Sequence, residues 1–86
     1  MLKSFHVIVD GDPVLLWEAA AITKVTVRAV ASNNVKVGDK EITMHSGLTL
    51  NANVPVDINM YKGDVLYSIS CAGTRCVEVL VQEETL

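Results

Sequence analysis

Apolar residues at every second position constrain this chain more than any other feature. Val25, Val27 and Ala29 alternate with Lys24, Thr26 and Arg28. A strand turns successive side chains to opposite faces, so this run is a strand with one face buried and the other charged. Val54, Val56, Ile58 and Met60 alternate with Pro55, Asp57 and Asn59, and Val77, Val79 and Val81 alternate with Glu78, Leu80 and Gln82. Val65, Tyr67, Ile69 and Cys71 alternate with Leu66, Ser68 and Ser70, which places Leu66 on an outer face. The short runs Val35–Val37, Ile42–Met44 and Leu48–Leu50 keep the same period, and about Lys3–Val9 and Val14–Trp17 read as two further strands. Fourteen valines, five isoleucines and six threonines supply the β-branched side chains that fit a pleated surface.

Turn residues separate the runs. They are Asp10-Gly11-Asp12-Pro13, Ser32-Asn33-Asn34, Gly38-Asp39, Ser46-Gly47, Asn51-Ala52-Asn53, Lys62-Gly63-Asp64 and Ala72-Gly73-Thr74. Gly38-Asp39 has the spacing of a type II′ hairpin between Val37 and the Glu41–Met44 run. Pro55 calls for an edge strand or the start of a strand, because it has no N–H to give to a ladder. Pro13–Ala21 reads either as strand then turn, or as a helix of two turns at most with Asp12 as its cap. Short strands at this spacing predict one all-β domain over 1–86, a sandwich or barrel of about seven to eight antiparallel strands. Residues 1–20 are an N-terminal arm or an edge strand.

Composition then removes classes of function. The net charge is −3 and the seven basic residues are scattered, so no electrostatic footprint for nucleic acid or an anionic membrane is expected. No apolar run approaches the ~20 residues of a membrane span. The first ten residues carry too short an apolar stretch for a signal peptide, and synthesis in a cytosol is the expectation. Two cysteines and two histidines fall short of a zinc ligand pattern, and no cofactor is expected.

Each chemical motif has an ordinary structural reading. Cys71 and Cys76 bracket four residues, at the mouth of an expected hairpin. They read either as a disulfide clip or as two small, half-buried thiols. His6 and His45 have no Ser, Cys or Asp at a catalytic offset and read as surface or hydrogen-bonded side chains. Asp10-Gly11-Asp12 opens like a calcium loop but lacks its later ligands, and Lys62-Gly63-Asp64 reads as a turn. The carboxylates fall singly, with no pair set between apolar runs for acid–base work, so the chain reads as a non-enzyme.

What remains is surface. Half the residues are hydrophobic in a chain of 86, too many for so small a core. Phe5, Val14, Leu15, Leu16, Trp17, Leu66 and Leu80 are the candidate interface, because parts of these runs fall on outer faces.

From Ala21 to Glu83 the order of motifs resembles small tailed-bacteriophage virion proteins of the capsid decoration, or cement, kind. The landmarks are Val37-Gly38-Asp39 and Leu66-Tyr67-Ser68-Ile69, with a Val-rich strand before them and another after. The chain departs from that pattern at Asn51-Ala52-Asn53, where a glycine-containing turn is expected. The resemblance implies a compact, jelly-roll-like β-sandwich at the virion capsid surface, binding the major capsid protein beside neighbouring copies of itself. It carries no catalytic residues. A phage tail, fibre or connector component, or a cellular β-sandwich binding module, is the alternative.

Overall fold

The computed structural model describes residues 1–84. The expectation of one domain over 1–86 takes in two residues outside these. Among the described residues eight strands follow one another: β1 (Leu2–Val9), β2 (Val14–Glu18), β3 (Thr23–Ala29), β4 (Val35–Gly38), β5 (Leu48–Leu50), β6 (Val56–Met60), β7 (Val65–Ser70) and β8 (Arg75–Glu83). They form two antiparallel four-stranded sheets with orders β1-β8-β3-β6 and β2-β7-β4-β5.

The pairing has a simple logic. β1 pairs with β8, β2 with β7, β3 with β6 and β4 with β5. The chain is therefore one long hairpin whose tip is β4–β5, rolled so that β3 also meets β8 and β4 also meets β7. This is the jelly-roll order of a double-sheet sandwich. Of the seven connections, only β4–β5 stays within one sheet.

The core lies between the sheets. Val25, Val27 and Ala29 of β3 and Val77, Val79 and Val81 of β8 meet Val35, Val37 and Leu50 of the second sheet, as the alternation requires. Pro55 immediately precedes β6, and β6 is an edge strand. Val14–Glu18 is strand, so the short-helix reading of this segment does not hold.

Three expectations about the strands and their faces are corrected. Glu41–Met44 is not a strand. The β4–β5 connection runs over residues 39–47 as successive turns, held by Ile42 N donating to Asp39 O and by Thr43–Ser46 contacts. The second correction concerns β7. Ser68 and Ser70 stand opposite the core residues Val37 and Val35, so Leu66, Ser68 and Ser70 face inward. Tyr67 and Ile69 take the other face, although Ile69 is buried there. The third concerns β2. Its register shifts between Leu15 and Trp17, a bulge that turns the adjacent Leu16 and Trp17 both toward the core.

The cysteines do not flank a hairpin, because β7 and β8 belong to different sheets. Cys71 N donates to Asn34 O beside the second sheet, while Cys76 O accepts from Val30 N beside the first. Both thiols are free and half-buried, so no disulfide clip is present.

Asn53 takes the place of the expected glycine in the turn after β5. It adopts φ 60°, a left-handed conformation that asparagine tolerates better than most residues. Its side-chain oxygen accepts from Ala31 N at 2.9 Å, and Asn33 returns the contact by accepting from Ala52 N at 2.7 Å. Two asparagines thus tie the turn after β3 to the turn after β5.

Candidate functional site

The outer face of the first sheet carries the densest polar arrangement. Cross-strand register places His6, Glu78 and Arg28 in one row and Ser4, Leu80, Thr26 and Asp57 in the next. These are the positions opposite the valines of the core, so period two sends every one of them outward.

Glu78 is the hub. Arg28 donates to its Oε1 through both Nε and Nη2, and His6 Nε2 lies 3.5 Å from Oε2. The Arg28 hydrogen bond holds the carboxyl below the usual carboxylate range. Partial burial opposes that, and the charges of Arg28 and His6 reinforce it. In the neighbouring row Thr26 Oγ1 donates to Asp57 Oδ1 at 2.7 Å, and Lys24 Nζ lies 3.6 Å from Asp57 Oδ2. The Thr26 hydroxyl is the main reason that the Asp57 carboxyl is also held low.

An open groove of about 620 Å3 runs over this face, with Leu80 on its floor and Ser4, His6, Thr26, Arg28, Pro55 and Glu78 around it. Both oxygens of Glu78 are engaged and the carboxylate is stabilised. Such a group fixes charge and geometry; it is a poor proton acceptor. The arrangement suits recognition or the ordering of an outer face.

The expected interface residues do not form one surface. Leu15 faces outward and is 44% exposed. Leu80 is half-buried on the groove floor. Phe5, Val14 and Trp17 are partly exposed but pack against the core. Leu16 and Leu66 are only 4% and 5% exposed and belong to the core, so they are removed from the interface. The bulge in β2 and the inverted faces of β7 are the reasons. In their place the fold exposes Leu2, Ile8, Ile22 and Tyr61.

His45 is exposed in the 39–47 turns. Asp10-Gly11-Asp12 is a turn in which Asp12 N donates to the Asp10 carboxylate at 2.9 Å. Lys62-Gly63-Asp64 joins β6 to β7, with Asp64 accepting from Tyr61 N. Among the described residues, no three His, Cys, Asp or Glu side chains gather as a metal site.

The two landmarks of the resemblance lie side by side. Val37 stands opposite Ser68, and Gly38 opposite Tyr67. Some 30 residues of sequence separate them, yet they form one patch of the second sheet. Comparison of the chain with family models, with curated proteins and with solved structures finds no match.

Proposed function

We propose that this protein is a non-enzymatic structural component of a tailed-bacteriophage virion, which decorates the capsid and reinforces it by binding the major capsid protein. The observation that carries this reading is the meeting of Val37-Gly38-Asp39 with Leu66-Tyr67-Ser68-Ile69 in register within a jelly-roll sandwich. The motifs behind the family resemblance are thereby neighbours in one structural unit.

The surface is compatible with the role. Leu15 and Leu80 remain as contact residues from the sequence-based set, and the sandwich exposes further large apolar side chains. On a symmetric shell, many weak contacts act together, so each copy needs only a modest apolar patch. The net charge of −3 limits attraction to packaged nucleic acid.

Particles assembled with and without this chain test the reading. Decorated heads are expected to withstand higher temperature and stronger osmotic shock, and a labelled chain is expected over the head surface. Equal resistance together with label confined to the tail, or with no label at all, overturns it.

A further inference from the structure

Four strands form the edges of the two sheets: β1 and β6 in the first, β2 and β5 in the second. Proteins guard such edges with short strands, prolines, bulges or charges, because a free edge pairs with any strand offered to it. Three of these edges are guarded. β2 carries the bulge at Leu16, β5 has three residues, and β6 follows Pro55 and bears Asp57. β1 lacks the first three of these devices. It is eight residues long, contains no proline, and keeps an unbroken register with β8. Its one charged side chain, Lys3, lies over the Phe5 and Trp17 rings at 5.7 Å from each.

The phase of the ladder identifies the free backbone groups. Met1 N donates to Glu83 O at 2.7 Å, and Glu83 N donates to Met1 O at 2.9 Å. Antiparallel pairs of this kind recur at every second residue, so Lys3, Phe5, Val7 and Val9 spend their N–H and C=O groups on β8. The N–H and C=O groups of Leu2, Ser4, His6 and Ile8 point away from the sheet.

We infer that β1 pairs with β1 of a second copy of this chain, antiparallel about a twofold axis at Phe5. This register is singled out because it alone uses all four free positions. It sets Leu2 of each copy opposite Ile8 of the other, and Ser4 opposite His6. Leu2 and Ile8 are 70% and 62% exposed, the two most exposed apolar side chains of the strand, and the twofold axis pairs them twice. Lys3 falls opposite Val7, so no like charges meet. The two Phe5 rings approach across the axis, where aromatic cross-strand pairs are favourable. The two first sheets become one continuous sheet of eight strands.

The size of the contact sets its strength. A strand of this length spans about 27 Å. The shortest extent of the molecule is 16 Å. The side wall therefore buries roughly 900 Å2 over both copies, below the size of standard stable interfaces and in the range of weak, transient ones. The dimer is reversible and concentration-dependent in solution, and on a crowded lattice it is driven by proximity. The inference does not rest on the capsid reading. A chain that stays monomeric overturns this pairing and leaves particle decoration to its own test.

Sedimentation of the full chain across a concentration range tests it, with emission of the single Trp17 as a second readout. The unaltered chain is expected to pass from monomer to dimer, with Trp17 emission changing in step because that ring contacts Phe5. Ser4→Pro removes only a solvent-facing N–H and leaves the β8 ladder intact. It is expected to weaken the dimer about a hundredfold, a factor of about ten for each symmetry-related loss. Ile8→Lys sets a charge against Leu2 and is expected to weaken it at least as much; its exposed position keeps the test valid if Ser4→Pro does not fold. Slowed hydrogen exchange at Leu2, Ser4, His6 and Ile8 is expected on association. A monomer at every concentration, a dimer that both variants retain, or a dimer with these four amides unprotected each overturns the inference.

Discussion

The rings of Phe5 and Trp17 lie with centroids 6.2 Å apart and planes inclined at 34°, joining the β1 edge of one sheet to the β2 edge of the other. The contact closes the sandwich where the two edges run together. Trp17→Ala opens it and is expected to cost about 2 kcal/mol, less than for a fully enclosed Trp because the ring is partly exposed. Among the described residues the buried indole Nε1–H has no partner, so Trp17→Phe gives up no hydrogen bond there and is expected to cost under about 1 kcal/mol. Urea unfolding followed by circular dichroism measures both. Equal losses for the two would place the value of Trp17 elsewhere than in ring packing.

Ser68 sits wholly buried on the inner face of β7, and its Oγ donates to Lys36 O at 2.9 Å. Ser68→Ala removes that bond and is expected to cost about 1 kcal/mol. Ser68→Leu forces volume between the sheets and is expected to cost roughly 1–3 kcal/mol. If β7 presented this position outward, Leu would be tolerated as well as Ala, and the two melting temperatures would coincide.

Three glycines form a graded series. A Cβ at Gly11 meets nothing within 4 Å, and Gly11→Ala is expected to be neutral. Gly63 has φ +95° in open space, so Gly63→Ala carries the conformational cost alone, about 1 kcal/mol. Gly47 has φ +87°, and its Cβ would stand 2.7 Å from the Val37 carbonyl oxygen, a backbone atom that cannot swing away. Gly47→Ala is expected to cost about 2–3 kcal/mol or more. Thermal melts rank the three, and a Gly47→Ala no worse than Gly63→Ala would contradict the clash.

Glu78 and Asp57 both titrate below the usual carboxylate range, held down chiefly by Arg28 and Thr26 respectively. A carboxyl whose folded pKa is depressed stabilises the fold above its unfolded pKa, and that stabilisation is lost as pH falls through the folded value. The urea midpoint is therefore expected to fall as pH drops below about 4.5. Glu78→Gln is expected to be less stable near neutrality and to show a shallower acid decline. An acid decline as steep as that of the unaltered chain would clear Glu78 of responsibility.

Cys71 and Cys76 are free thiols held beside different sheets. A strong reductant is expected to leave the melting temperature unchanged, and thiol titration of the unfolded chain is expected to find both. A melting temperature that drops on reduction would instead indicate a bridge.

Much of the architecture is legible in the sequence because one physical fact, the two-residue period of a strand, acts locally. Val25, Val27 and Ala29, and again Val77, Val79 and Val81, announce both strand and buried face, since their opposite faces are charged or polar. The same rule misleads in β7. Val65, Tyr67 and Ile69 are the more apolar set, yet Ser68 and Ser70 face the core opposite Val37 and Val35. Leu16 escapes the rule altogether, because a bulge spends an extra residue against β7.

Period two thus determined that the fold is all-β, and its spacing and turns determined roughly where most strands lie, the Glu41–Met44 run excepted. Only the tertiary structure decided which face of β7 is inside, that Cys71 and Cys76 belong to different sheets, and that His6, Glu78 and Arg28 share a row. The reason is the range of the forces. Alternation is written within five or six residues, whereas register and sheet membership depend on a partner such as β8, about 70 residues away from β1. A turn sequence states that the chain reverses; which sheet it then joins is settled by the packing of the whole sandwich.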